Sequence, residues 1–184
     1  MKRNHFVVTA ISIIIISLVW ILVTPVLFPT TADASDIAPH PGFLAPDFSL
    51  ETPQGEIVTL ADFQGQPVLV FFWASWCSVC RAAMPGLEAV YRDFSQQGFT
   101  LLAVNTTSQD TLSSALSYYE SQGYTFTLLL DRDGTTAEQY RMRAVPTSVL
   151  IGPDGIITDV IYGSGMSGGF LRARLSDLLT EGAQ

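Results

Sequence analysis

Lysine is all but missing from this chain: Lys2 is the only one in 184 residues. Histidine is limited to His5 and His40, and cysteine to Cys77 and Cys80. Charged residues make up only 14% of the chain, and the formal net charge is −8. Residues 35–184 hold seven arginines against sixteen carboxylates, a net of −9. Each shortage excludes something. Without a basic patch the chain does not suit nucleic acid, whose phosphates dominate binding. Two cysteines rule out a disulfide-dense scaffold, and with no histidine after His40 they leave too few ligands for a zinc or copper site. No metal and no cofactor is expected. Internal repeats and low-complexity tracts are absent as well. What is abundant is apolar surface, 48% of residues, which excludes disorder for most of the chain. The length suits one domain plus an extension, at about 100–200 residues per domain.

The extension is N-terminal. From Phe6 to Phe28 no residue is charged, and Lys2 and Arg3 precede the run. A helix of that length reaches roughly 35 Å at about 1.5 Å per residue, enough for a bilayer core of about 30 Å. The basic pair should stay cytoplasmic and place the rest outside. We therefore expect residues 1–29 to be a cytoplasmic stub and transmembrane signal anchor. The alternative is a signal peptide cleaved near Ala34, after the small-x-small stretch Ala32-Asp33-Ala34. Residues 30–42, with small residues and two prolines, read as a linker, and 43–184 as the folded domain.

Within that domain Phe48–Leu50 and Ile57–Leu60 flank Gly55 and read as a hairpin. Pro67–Ala74 is a continuous apolar run, as in a strand buried on both faces. Val79, Ala83, Leu87, Val90 and Phe94 follow at helical spacing until Gly98. Phe99–Val104 is a second buried strand, Thr111–Ser121 a helix closed by Gly123, and Phe126–Leu130 a third strand. Thr135 and Glu138 fit a capping box for a short helix through Arg141. Thr147–Ile151 and Ile156–Ile161 are joined by Gly152-Pro153-Asp154-Gly155, a hairpin turn sequence. Ser167 can cap a last helix with Leu171, Leu175, Leu178 and Leu179 on one face. The pattern predicts a three-layer α/β/α domain around a mixed sheet.

The two cysteines stand three apart, in Trp76-Cys77-Ser78-Val79-Cys80, where the buried strand gives way to the long helix. Free N–H groups and the helix dipole at that end favour an anion. A thiolate at Cys77 is therefore stabilised, and the thiolate is the nucleophile. Cys80 lies one turn later on the same side, so the pair can cycle between dithiol and disulfide. A purely structural bridge is the weaker reading, because so small a loop constrains the unfolded chain little.

Four separated stretches carry a resemblance over roughly 45–179. They are Ala45-Pro46-Asp47-Phe48-Ser49-Leu50, then Val70-Phe71-Phe72-Trp73-Ala74-Ser75-Trp76-Cys77, then Met84-Pro85, and finally Ala144-Val145-Pro146-Thr147 with the Gly152–Gly155 turn. The chain resembles the thioredoxin-like superfamily, and within it the membrane-anchored TlpA/ResA-like thiol–disulfide oxidoreductases of bacteria. The resemblance implies a thioredoxin fold and assigns Cys77 as attacking and Cys80 as resolving thiol, forming the Cys77–Cys80 disulfide. It makes Trp76 an apolar shelf and Pro146 a cis-proline facing the disulfide. The Val145 backbone would then pair with an extended substrate.

Two departures stand out. Where the family usually has proline, Val79 follows Ser78, so this pair sets a redox poise of its own. Val79 keeps an N–H that proline lacks, one more potential donor to the Cys77 thiolate. The carboxylates that related proteins hold near the resolving thiol are replaced by Phe71 and Ala83, and Glu88 lies about two turns from Cys80. The proton of Cys80 must go to water or to a partner.

The expected function is an extracytoplasmic thiol–disulfide oxidoreductase that reduces exported proteins, such as the haem-binding CxxC of apocytochromes c. Its electrons would come from a membrane thiol donor. The alternatives are an oxidase or isomerase of exported proteins, a thiol peroxidase, and a non-enzymatic partner-binding module. A peroxidase would need a Thr-x-x-Cys that is not in the sequence. The acidic surface reads as a solubility feature, with a preference for basic partners as the lesser alternative.

Overall fold

The computed structural model describes residues 37–181. The expected membrane anchor and most of the expected linker lie outside them, and among the described residues no helix is long and apolar enough to cross a membrane. Residues 37–42, read as the end of the linker, are tied to the folded domain. Gly42 N–H donates to the Ile157 carbonyl, and the Ala38 N–H to that of Leu44.

Seven strands form one mixed sheet. In chain order they are β1 (Ser49–Glu51), β2 (Ile57–Thr59), β3 (Val68–Trp73), β4 (Thr100–Asn105), β5 (Thr127–Leu130), β6 (Thr147–Ile151) and β7 (Ile157–Tyr162). Across the sheet they run β2-β1-β5-β4-β3-β6-β7. The β3–β4 and β4–β5 pairs are parallel; β6 closes on β3, and β7 on β6, antiparallel. This is the α/β architecture around a mixed sheet that the strand and helix signals predict, and the thioredoxin-like fold that the resemblance implies.

β3 is the axis of the fold. All six of its residues are buried, because alternate side chains enter two different cores. Leu69, Phe71 and Trp73 face one side. There they meet the long helix α1 (Ser78–Phe94), Ala115 of α2 (Leu112–Gln122), and Leu171, Leu175 and Leu178 of the C-terminal helix α4 (Gly168–Glu181). Val68, Val70 and Phe72 face the other side. That side is covered more thinly, by Ala137 of the short helix α3 (Thr135–Gln139), by Tyr140 and by the Leu60–Phe63 turn. The two helix layers are therefore unequal. The helix that carries the cysteines sits on the deeper core.

Most boundaries fall within two residues of those predicted, the usual scatter of helix and strand ends. The capping box at Thr135 does not form. Thr135 is already helical, and Gly134 is the cap with φ +80°. The free N–H groups of this helix are taken instead by acidic residues before it. Asp131 accepts from Thr136 and Ala137, and Asp133 from Thr135. The helix ends at Gln139, short of the expected Arg141, which turns into the left-handed region at φ +48°. At the other end of the chain Ser167 does cap α4, its Oγ accepting from Phe170 N–H at 3.2 Å. α4 packs closely against α1: a Cβ at Gly168 would stand 3.2 Å from the Gly86 carbonyl oxygen.

Leu87 is fully buried beneath α1. Leu87→Ala is expected to lower unfolding stability by about 2–5 kcal/mol, read as a shift of the urea midpoint with an unchanged slope.

Candidate active site

The site forms where β3 runs out. Trp73 and Ala74 are buried, the chain turns at Ser75 and Trp76, and Cys77 becomes the N-cap of α1 with extended backbone. Cys77 and Cys80 form a disulfide, with Cα atoms 5.2 Å apart. The Cys80 N–H donates to Cys77 Sγ at 3.1 Å. The capping position thus falls to sulfur, and the N–H that now contacts a disulfide sulfur is placed to hold a thiolate. Ser78 and Val79 occupy the first two helical positions, both exposed.

Exposure separates the two sulfurs' residues. Cys77 is 6% accessible and Cys80 is not accessible at all. Only Cys77 offers an approach from outside. Cys80 is enclosed by the deeper core with Phe71, Trp73 and Met84. Glu88 does not serve as a substitute. Burial pushes its carboxyl up, but Thr125 N–H and Oγ and the Arg92 guanidinium more than offset this and hold it below its usual value.

The second wall is the loop before β6. Its Val145–Pro146 peptide bond is cis. The Val145 carbonyl oxygen lies 3.6 Å from Cys77 Sγ. That is a contact in the disulfide and becomes an available acceptor for the S–H of the dithiol. Among the described residues nothing accepts from the Val145 N–H, so an extended segment could pair with it. Pro146 is buried and is held from behind by the Gly163 N–H, which donates to its carbonyl at 2.8 Å. Trp76 stands on the rim, 61% exposed, with its Nε1–H donating to the Gln109 carbonyl. Val79 adds a second exposed apolar side chain at 43%.

One residue that holds this geometry was invisible in the sequence. Asp110 accepts from Ser75 N–H at 2.6 Å, from Ser75 Oγ at 2.7 Å and from Asn105 Nδ2 at 2.9 Å. It ties the turn before Cys77 to the end of β4. Burial pushes its carboxyl up, but the Ser75 and Asn105 bonds outweigh this and leave it below the usual value. A contact over thirty-five residues leaves no local signal.

The AhpC/TSA family model matches residues 41–160. The chain is 33% identical over 135 residues to the thioredoxin-like protein YneN of Bacillus subtilis, covering 73% of this chain and 78% of that protein. It is 29% identical over 163 residues to the thiol-disulfide oxidoreductase ResA of Bacillus subtilis, covering 89% and 87%. A Chlorobium tepidum crystal structure assigned as thiol:disulfide interchange protein DsbE superposes with a TM-score of 0.70 at 30% identity, over 76% of this chain and 98% of that one.

Asp110→Ala should cost about 1–3 kcal/mol at neutral pH, by leaving the Ser75 and Asn105 donors without their charged acceptor. Because the folded carboxyl titrates below its ordinary value of 3.8, its contribution is full above that pH. It is lost as the pH falls through the lowered folded value. Urea unfolding of wild type and variant should therefore differ at pH 7 and begin to converge only as the pH falls below 3.8.

Proposed function

This chain belongs to the AhpC/TSA family and is a thiol–disulfide oxidoreductase, and on that premise we propose that it is an extracytoplasmic reductant of disulfides in exported proteins. The observation that carries the reading is the asymmetry of the pair. Cys77 is slightly accessible at a helix N-terminus, and Cys80 is fully enclosed. In the dithiol form the Cys77 thiolate attacks one sulfur of a substrate disulfide. A mixed disulfide forms and one substrate thiolate leaves. Cys80 then attacks Cys77 Sγ, the second substrate sulfur leaves, and the Cys77–Cys80 disulfide remains. Two electrons pass to the substrate. With Phe71 and Ala83 where related proteins hold a carboxylate, the Cys80 proton goes to the departing substrate thiolate or to water.

The location rests on the charge-free run 6–28 behind Lys2 and Arg3. A domain held outside a membrane needs its electrons delivered there, so a membrane thiol carrier is the donor that fits. Among exported substrates, the CxxC of apocytochrome c suits the site, because two nearby thiols can be released one after the other. Trp76 and the free backbone of Val145 are the surfaces that would hold an extended segment.

The test is the reduction potential of the Cys77–Cys80 couple in the full-length protein, equilibrated against dithiothreitol. A value near about −270 mV is expected for a reductant; one near about −120 mV would reverse the direction to oxidase or isomerase work. Cys80→Ser should trap exported proteins as mixed disulfides at Cys77, whereas a thiol peroxidase or a binding module would trap none. Val79→Pro removes an N–H beside the thiolate at a position where helices tolerate proline. The hydrogen bond to Cys77 Sγ comes from Cys80 N–H, so the change removes only one N–H dipole near the thiolate. It is expected to raise the Cys77 pKa by roughly a few tenths of a unit and to make the couple slightly more reducing. An unchanged pKa would remove Val79 from the redox tuning.

A further inference from the structure

Arginine is scarce here, and its distribution is uneven. Arg92, Arg132, Arg172 and Arg174 each pair with a carboxylate. Arg81, Arg141 and Arg143 have no carboxylate within ion-pair distance among the described residues. In a domain with sixteen carboxylates for seven arginines, an unpaired arginine is the exception. Two of the three lie close in sequence to the segments that form the site. Arg81 follows Cys80 directly, and Arg143 lies two residues before Val145.

Arg81 also lines a groove. It has a volume of about 610 Å³ and runs between the start of α1 and the face of α2. Ser75 and Trp76 close it at the disulfide end. Ser113, Ser114, Ser117 and Ser121 supply hydroxyls along α2, and no carboxylate lines it. Asp110 lies behind Ser75, and its oxygens are already taken by Ser75, Asn105 and the Thr111 N–H.

The guanidinium is held in place by a device that begins with proline. Pro85 sits inside α1 and has no N–H to give the carbonyl four residues back. That carbonyl belongs to Arg81, and the Tyr118 hydroxyl donates to it at 3.3 Å. The same bond brings the Tyr118 ring under the Arg81 guanidinium, whose carbon lies 4.5 Å from the ring centroid. One face of the fork is stacked, and its N–H edge is left for a planar anion.

Resting on the oxidoreductase reading above, we propose that this groove is a specificity pocket for an acidic residue of the polypeptide substrate. An aspartate or glutamate near the substrate's reacting cysteine meets Arg81, with Ser113, Ser114 and Ser117 of α2 as neutral donors. The acidic surface does not override this. At physiological salt, fields fade over about 8 Å, so the charge in contact decides.

The experiment uses the full-length protein in its dithiol form and matched peptide disulfides that carry Glu, Gln or Lys beside the reacting cysteine. In 20 mM salt the Glu peptide should be reduced with a kcat/KM about 2- to 5-fold above the Lys peptide, the range an exposed ion pair provides. The difference should lie in KM and shrink at 300 mM salt. Arg81→Gln should abolish the preference. Ser117→Glu, which places a carboxylate in the groove from an exposed helical position, should invert it. Equal rates, a Lys preference in the wild type, or a Glu preference that survives both variants would overturn the proposal. The Gln peptide reports on the function itself. If it is not reduced, the reductase reading fails. The groove is then judged by equilibrium binding of the same peptides with serine in place of cysteine, where the Glu peptide must bind more tightly than the Lys peptide.

Discussion

A strand with no exposed side at all is the constraint on which this structure depends. β3 is hydrogen-bonded on one edge to β4 and on the other to β6, and its side chains fill two cores. Such a strand cannot slip by one residue, because every side chain would then face the wrong core. Its end is therefore fixed in space, and so is the start of α1. The nucleophile sits four residues past Trp73. It inherits the rigidity of the most buried element in the domain while standing at the edge of solvent.

Fixing the strand end is not enough to hold a reactive turn. The loop from Ala74 to Cys77 is tied down from the side by Asp110 and Asn105, which bind Ser75 and the Trp73 carbonyl. The loop before β6 is supported by the Gly163 N–H bond to the Pro146 carbonyl. Three chain segments far apart in sequence thus meet around one disulfide. Cys80 is shut into the core, which leaves Cys77 as the point of entry. The chemistry is ordered by access before any difference in acidity acts on it.

Charge placement follows the same logic of position over amount. The domain is strongly acidic overall, yet several of its buried or half-buried carboxylates are committed to backbone and side-chain donors. Asp110 binds the turn, Glu88 binds Thr125 and Arg92, and Asp131 caps α3. What remains uncommitted beside the disulfide is cationic. Proline inside α1 contributes by freeing the carbonyl that anchors Tyr118 under Arg81.

Much of this was legible along the chain. Continuous apolar runs, helical spacing in Leu87 and Val90, and the Gly152–Gly155 turn are local, and local patterns survive folding because they are what the cores select. The CxxC at a strand-to-helix junction is local too, and it carried the thiol chemistry. What failed locally was the Thr135 capping box: two aspartates already fold back onto the free N–H groups of that helix, and a capping pattern cannot register competitors. The sequence by itself determined the strands, the helices and the reactive pair, since each depends on neighbours within a turn or two. Only the tertiary structure decided which cysteine is reachable, that Asp110 braces the site, and that Arg81 is left without a partner. Those depend on contacts across thirty or more residues, and no spacing rule encodes distances that exist only once the sheet has closed.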